Sequence, residues 1–165
     1  MKLIADIFGI LVFVLCLIGC QMKKKQHMML ISAAANFISG MSFLFLSQRI
    51  SSAVMLNFTG TTQCLLSSFH AHRDEEITKK EKIVFLLLYC ICGMTVFKEP
   101  LDLLPIAGSF IFMISAFQKS EQRIRCYMLA NVIIWIIYDI IVGSTAVFSQ
   151  IFSLISLLIA LYRFK

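Results

Sequence analysis

Seven apolar runs, separated by short polar stretches, make up most of the chain. They cover about residues 3–20, 28–46, 51–69, 83–97, 101–117, 126–142 and 145–161. Six of them hold 17–19 residues, so at a helical rise of about 1.5 Å per residue each comes close to crossing a hydrocarbon core of roughly 30 Å. The fourth run has fifteen residues and reaches only about 22 Å as a helix. The pattern predicts an all-α membrane protein with seven transmembrane helices.

The composition excludes a water-soluble globule. Hydrophobic residues make up 59% of the 165 residues and charged residues 15%, against about 45–50% and 25% in soluble domains, and the mean hydropathy is +0.88. A surface of that composition cannot be hydrated. We therefore expect the lipid bilayer as the main partner and exclude nucleic-acid binders, soluble enzymes and secreted disulfide scaffolds. The oligomeric state stays open.

The positive charges decide whether the short fourth run crosses the membrane, because Lys and Arg gather on the cytoplasmic side. With seven spans and an external N-terminus, only Lys2, Arg49 and Lys98 lie outside. The other twelve of the fifteen Lys and Arg residues then lie on the cytoplasmic side: Lys23, Lys24, Lys25, Arg73, Lys79, Lys80, Lys82, Lys119, Arg123, Arg125, Arg163 and Lys165. If the fourth run did not cross, eight would lie inside and seven outside. The sequence thus predicts seven spans, an external N-terminus and a cytoplasmic C-terminus.

Reactive side chains form no recognisable catalytic or metal site in the sequence. The cysteines lie in or beside apolar runs without zinc-ligand spacing: Cys16, Cys20, Cys64, Cys90, Cys92 and Cys126. There is no Ser-His-Asp arrangement, no carboxylate pair at mid-membrane and no glycine-rich phosphate loop. The His and acidic residues of segment 70–76 fit a solvated loop better than a metal site. We therefore expect no enzyme activity, no cofactor, no metal and no disulfide.

The two ends of the chain resemble each other. Three helices precede the fourth and three follow it, so the two triplets have the same orientation, as parallel repeats require. Matching residues lie 97, 95 and 93 positions apart in successive helices, for example Gln21 with Gln118 and Asn36 with Asn131. We predict a 3+1+3 architecture with a first repeat over 1–70, a charged cytoplasmic loop and linker helix over 71–98, and a second repeat over 99–165.

The second half carries motifs of a known family. These are the stretch Leu-Leu-Pro-Ile-Ala-Gly over 103–108, the pair Arg125–Cys126, Trp135, and the turn Gly143–Ser144. With them the chain resembles the YgjV-type bacterial inner-membrane protein family over nearly its whole length. The resemblance implies a multi-pass protein of the bacterial inner (cytoplasmic) membrane.

A more remote similarity concerns sugar transporters. Three features are similar to the second and third helices of SemiSWEET transporters: Trp135-x-x-Tyr138, the polar Gln150, and the ending Leu161–Tyr162–Arg163. The 3+1+3 plan also resembles SWEET and PQ-loop proteins, and implies alternating access to a sugar-like solute. The chain departs from the PQ-loop motif, because Cys20–Gln21 and Phe117–Gln118 stand where that family has Pro-Gln. The helix kink that proline would cause is therefore in doubt.

Polar side chains far from the helix ends are the candidate functional residues, because an unpartnered polar group in hydrocarbon is costly. Asn36 and Asn131 lie well inside the second and sixth helices. The i, i+4, i+7 spacing puts each on one helix face with two further residues: Asn36 with Gly40 and Phe43, and Asn131 with Trp135 and Tyr138. An amide below an aromatic shelf suits hydrogen bonding and stacking with a neutral polyol. The alternative is that each Asn bonds a neighbouring helix backbone and serves only packing.

Further polar residues lie in the third and seventh helices. Asn57 and Gln150 are at repeat-related positions, where the SWEET-like resemblance implies a substrate-contacting Asn. The third helix is polar on several faces, which indicates contact with a water-filled space or hydrogen bonds to other helices; the residues are Thr59, Thr61, Thr62 and Gln63. The acids Asp6 and Asp139 lie within apolar runs near the outer helix ends. For both we expect interfacial solvation, with Asp139 the better candidate for proton coupling.

The sequence predicts an inner-membrane facilitator that moves a small neutral or zwitterionic, sugar-like solute by alternating access between the two repeats. The hydrogen-bonding residues would be Asn36, Asn57, Asn131 and Gln150, and the walls Trp135, Tyr138 and Phe43. The alternative is a non-transporting membrane scaffold or accessory subunit with the same fold and a dry interior. A central polar cavity lined by at least two of the four amides would distinguish the two.

Overall fold

The computed structural model describes residues 2–47, 52–97, 100–142 and 147–164. Within these ranges the chain forms seven α-helices and a short 3₁₀ turn at Pro100–Asp102, with no strand. The helices are α1 (Lys2–Gln21), α2 (Lys25–Ser47), α3 (Ser52–His72), α4 (Lys79–Val96), α5 (Leu103–Ala116), α6 (Glu121–Val142) and α7 (Val147–Arg163). Each overlaps one of the seven apolar runs, which confirms the predicted all-α class and the helix count.

The fourth helix is longer than its apolar run because the preceding loop caps it. Thr78 is the N-cap of α4: its hydroxyl accepts the Glu81 N–H, and the Glu81 carboxylate accepts the Thr78 N–H at 2.7 Å. This reciprocal capping box satisfies two N–H groups that the first helical turn would otherwise leave without partners. The helix therefore starts at Lys79 and contains 18 residues instead of the fifteen of the run.

The helix contacts close into a cycle. α2 packs between α1 and α3, and α6 packs between α5 and α7. α3 also contacts α5, and α1 contacts α7, so the two triplets meet along two edges. α4 packs against α3 and α5 at one of these edges. The described helices thus form a six-helix bundle with α4 attached to its side.

Three buried clusters hold the bundle together. The largest, here called the methionine cluster, joins α2, α3, α5 and α6, and its buried members are Met28, Met29, Ala33, Cys64, Ala116 and Ile124. A second joins α1, α6 and α7 through Cys20, Val132 and Leu157. A third fixes α4 against α5 through Phe85, Tyr89 and Met113. The methionine cluster fills the bundle near the helix ends that the charge count assigns to the cytoplasm.

Large apolar side chains cover the outside of the bundle, as lipid contact requires. At least half of the surface is exposed at large apolar residues on six helices, among them Ile10, Leu87, Leu103, Ile140 and Phe148. Of the helices in the described ranges, Glu121–Ile141 is long and apolar enough to cross a membrane by length and composition. Three others are apolar but shorter: Ile7–Gln21, Pro100–Ala116 and Val147–Arg163.

Candidate functional site

The amide of Asn36 lies against a glycine of the neighbouring helix. A Cβ added at Gly60 of α3 would lie 3.1 Å from the Asn36 Nδ2 and 3.4 Å from the Tyr89 hydroxyl oxygen. Only glycine leaves room at this point for both polar groups. The Asn36 Nδ2 donates a long hydrogen bond of 3.9 Å to the Cys64 Sγ. Because thiol sulfur is a weak acceptor, this bond satisfies the Asn36 amide only weakly.

Asn131 meets a second glycine in the other triplet. A Cβ added at Gly108 of α5 would lie 3.0 Å from the Asn131 Oδ1 and 3.1 Å from the Trp135 Nε1. The Asn131 Oδ1 is buried and has no hydrogen-bond partner within the part of the chain that the structure describes. The Trp135 and Tyr138 rings meet edge to face, with centroids 5.7 Å apart and an interplanar angle of 89°. An unused acceptor, an indole N–H and an aromatic pair thus lie together on α6.

The predicted site residues fall into separate groups. Asn131, Trp135 and Tyr138 share one face of α6, as their spacing predicts. Asn36 lies instead beside α3. Asn57 packs near Gly40, whose added Cβ would lie 3.3 Å from the Asn57 Cβ.

The other predicted residues are Gln150, Phe43 and Asp6. Gln150 is half-buried on α7. The side chains of Phe43 and Asp6 lie outside the described residues.

Three residues near the amides were not among the site residues predicted from the sequence. Tyr89 belongs to α4, the helix assigned as a linker, yet it is 2% exposed and its hydroxyl reaches the Asn36 region. Gly60 and Gly108 resemble other glycines in apolar runs. Small residues in the middle of membrane helices often lie where two helices approach closely. That rule is the sequence signal that points to Gly60 and Gly108.

Side-chain hydrogen bonds join the two triplets along both of their shared edges. At the α3–α5 edge, the Gln63 Nε2 donates to the Met113 carbonyl at 2.8 Å and the Ser67 hydroxyl donates to the Ala116 carbonyl at 2.9 Å. At the α1–α7 edge, the Gln21 Nε2 donates to the Ser156 carbonyl and hydroxyl, both at 2.9 Å. For Gln63, the structure therefore supports the helix-to-helix alternative and not a water-filled space.

Two shallow grooves lie on the outside of the bundle. One, of about 360 Å³, lies between α2 and α3 and is lined by Leu44, Val54, Met55, Phe58 and Thr59. The other, of about 450 Å³, lies between α1 and α7. Neither groove is lined by Asn36, Asn57, Asn131 or Gln150.

Asp139 is more buried than the sequence predicts. The side chain was expected in interfacial water, but the residue is only 5% exposed. α6 lies between α5 and α7, so a residue near its end is covered by neighbours that the sequence does not reveal. Asp139 makes a polar interaction within the fold.

Polar contacts connect the side chains of the loop between α3 and α4. The His70 Nε2 lies 3.1 Å from the Glu81 Oε1, and its Nδ1 lies 3.5 Å from the Glu75 Oε2. Hydrogen bonds from Thr78 lower the pKa of Glu81, and the ammonium of Lys119 lowers the pKa of Glu76. In the described ranges no group of three or more His, Cys, Asp or Glu residues is arranged to hold a metal ion.

Comparison with known protein families matches nearly the whole chain. The family Imp-YgjV, described as "Bacterial inner membrane protein", matches residues 3–165. No curated protein and no solved structure matches significantly.

Proposed function

Because this chain belongs to the Imp-YgjV family of bacterial inner membrane proteins, we propose that it is a facilitator for a small neutral or zwitterionic, sugar-like solute. In this proposal α1–α3 and α5–α7 are parallel repeats with an external N-terminus and a cytoplasmic C-terminus. The solute binds at mid-membrane, where Asn36 and Asn131 lie near the middle of α2 and α6.

Two observations support the repeat. In the repeat, α1 corresponds to α5 and α3 corresponds to α7. The contact between α3 and α5 is therefore equivalent to the contact between α7 and α1, and both are present. The buried face of α7 also lies 93 positions after a buried face of α3: Ser153, Leu157 and Ala160 follow Gly60, Cys64 and Ser67. The sequence offset therefore relates residues with the same burial in the two triplets.

The observation that carries the proposal is the state of Asn131. Its Oδ1 is buried without a hydrogen-bond partner in the described structure, next to the indole N–H of Trp135. A buried polar atom without a partner costs about 1–3 kcal/mol, so such an atom in a membrane helix needs an explanation. A hydroxyl-bearing solute would donate to the Asn131 Oδ1, accept from the Trp135 N–H and stack on the aromatic pair.

In this proposal the methionine cluster is the cytoplasmic gate. It joins Met28 and Met29 of α2 to Ile124 of α6, on the cytoplasmic side of Asn36 and Asn131 in the proposed topology. Methionine is unbranched and flexible, so it packs adaptably at surfaces that separate and rejoin. In the proposed cycle this cluster opens when the outer end closes.

The test uses the single tryptophan of the chain. Since Trp135 is part of the candidate site, its fluorescence reports binding there directly. The purified full-length protein is titrated with sugars, polyols and amino acids, and uptake of any binder is measured in proteoliposomes. We expect a saturable emission change, and Asn131→Ala should weaken binding roughly fivefold, since one hydrogen bond contributes about 1 kcal/mol and 1.4 kcal/mol is tenfold.

A matched control removes a polar group that serves its own helix. The Thr62 hydroxyl is exposed and donates to the Phe58 carbonyl at 3.0 Å, so Thr62→Val should leave binding unchanged. If no solute changes the Trp135 emission and none enters the proteoliposomes, the facilitator proposal is wrong. If Asn131→Ala instead lowers stability by about 0.6 kcal/mol and leaves binding unchanged, Asn131 serves helix packing.

A non-transporting scaffold is the second candidate. It is favoured by the position of the two grooves, which lie outside the bundle and include none of the four candidate amides. A scaffold predicts that Asn36→Ala and Asn131→Ala both change stability alone.

A further inference from the structure

An apolar groove runs along the outside of the bundle between α1 and α7. It measures about 450 Å³, and most of its lining is apolar: Leu17, Ile18, Met22, Phe152, Ile155 and Ile159. Its two polar residues, Gln21 and Ser156, bond to each other. The groove therefore offers a hydrocarbon-lined surface whose polar side chains are already engaged.

A cluster of cations stands at the end of this groove, arranged around one aromatic ring. Measured to the centroid of the Phe164 ring, the Arg125 Cζ lies at 4.8 Å, the Arg163 Cζ at 5.3 Å and the Lys23 Nζ at 5.8 Å. The Gln122 Nε2 donates to the Phe164 carbonyl and holds this residue in place. We call Lys23, Arg125 and Arg163 the cation cluster.

Arg125 joins the cluster to the groove. It is 1% exposed, and its Nη2 donates at 2.6 Å to the carbonyl of Met22, a groove residue. The Arg125 Nε is buried and lacks a hydrogen-bond partner among the described residues. The guanidinium of Arg125 is thus held beside Met22, at the end of the groove.

The cluster has an excess of positive charge. Over the described ranges, none of its three cations forms a salt bridge. Glu121 accepts the Lys25 backbone N–H at 3.3 Å and its charge also acts on Arg125, so three cations and one acid leave the cluster positive. Lys23 and Arg163 are exposed and able to approach an anion from solution or from the membrane surface.

We propose that this groove and cluster form a binding site for one anionic phospholipid of the cytoplasmic leaflet. Its phosphate binds Lys23 and Arg163 above the buried Arg125, and an acyl chain lies in the groove between α1 and α7. Basic pockets between membrane helices on this side suit anionic headgroups, and the apolar groove that continues from the cations selects a lipid over a free phosphate. The site is independent of solute transport.

The experiment measures lipid binding to the purified full-length protein in detergent by native mass spectrometry. Phosphatidylglycerol is compared with phosphatidylcholine of the same acyl chains, and glycerol 3-phosphate is added as a soluble competitor. We expect one tightly bound phosphatidylglycerol. The double variant Lys23→Gln/Arg163→Gln should bind it roughly 30-fold more weakly, because each cation contributes about 1 kcal/mol and 1.4 kcal/mol is tenfold.

Two matched controls separate the site from general attraction. Lys79→Gln/Lys80→Gln removes the same charge from exposed positions at the start of α4 and should leave the binding unchanged. Ile155→Trp fills the groove at a residue that is 48% exposed, so it should weaken lipid binding. Ile140→Trp makes the same change at an exposed position on α6 and should not.

Several outcomes would overturn the proposal. An equal loss of phosphatidylglycerol binding in the two double variants would mean that binding depends only on the total positive charge of the protein. If phosphatidylcholine bound as tightly as phosphatidylglycerol, the cation cluster would have no role in lipid binding. Displacement by glycerol 3-phosphate would make the ligand a soluble phosphate, and no effect of Ile155→Trp would exclude the groove.

Discussion

The Gln63 Nε2 of α3 donates a 2.8 Å hydrogen bond to the Met113 carbonyl in the last turn of α5. The N–H of Phe117 donates to the Ile114 carbonyl, three residues back. The Met113 carbonyl therefore accepts its hydrogen bond from Gln63 instead. Gln63 and, one turn later, Ser67 satisfy carbonyls at a helix end that lacks further donors of its own. The polar residues of α3 thus join the two triplets.

Removing the second of these bonds should loosen the α3–α5 edge. Ser67→Ala deletes the hydroxyl that donates to the Ala116 carbonyl from a fully buried position. We expect a loss of about 0.6 kcal/mol, the average for hydrogen bonds between membrane helices. Thermal unfolding in detergent measures it, and Thr62→Val, which removes an exposed hydroxyl on the same helix, should show no loss. Equal stability of wild type and Ser67→Ala would contradict this role.

Glycine at position 108 should be essential for the packing of Asn131 and Trp135. In Gly108→Ala the new methyl would lie about 3 Å from both polar atoms, so the side chains must move. We expect lower thermal stability and a shifted Trp135 emission. Gly9→Ala is the control, because a Cβ there meets nothing within 4 Å and alanine favours a helix by about 1 kcal/mol. Unchanged emission in Gly108→Ala would show that the contact is not tight.

The start of α4 should weaken in acid. Hydrogen bonds from Thr78 lower the folded-state pKa of Glu81 below its ordinary value of 4.5. The ionised carboxylate therefore stabilises the fold above that value, and this contribution disappears as the pH falls through the folded-state pKa. Glu81→Gln should thus cost about 0.5 kcal/mol at pH 7, as a carboxylate at a helix N-terminus contributes, and less at pH 3.

Hydrogen exchange of the Glu81 and Lys82 amides measures this effect at the two pH values. Asp74→Asn is the control, since Asp74 is exposed and has a left-handed backbone, with φ of 55°, that asparagine tolerates. A Glu81→Gln deficit that grows in acid would contradict the direction of the pKa shift.

Membrane topology can be tested by labelling of introduced cysteines. In a Cys126→Ser background, which removes the exposed native thiol, Glu75→Cys should react with an impermeant reagent only from the cytoplasm. Leu103→Cys, at the exposed start of α5, should react only from outside. Position 77 is a poor probe because Ile77 is 6% exposed. Labelling of both positions from the same side would exclude a membrane-crossing α4.

The position of the candidate site was only partly predictable. The spacing of Asn131, Trp135 and Tyr138 places them on one helix face whatever α6 contacts, and the structure keeps them together. The neighbours of the amides were not predictable in the same way. Tyr89 lies 53 residues from Asn36 in the chain, and only the packing of α4 against α3 and α5 brings its hydroxyl to Gly60.

The sequence by itself determined the class of protein and the seven helices, because both depend on the local cost of placing side chains in hydrocarbon or water. Only the tertiary structure decided which helix faces meet, as at Gln63 and Met113 or at Asn131 and Gly108. In a bilayer, lipid is as apolar as the protein interior. A membrane helix is therefore apolar on its buried and its exposed sides alike, and the hydrophobic pattern does not distinguish them.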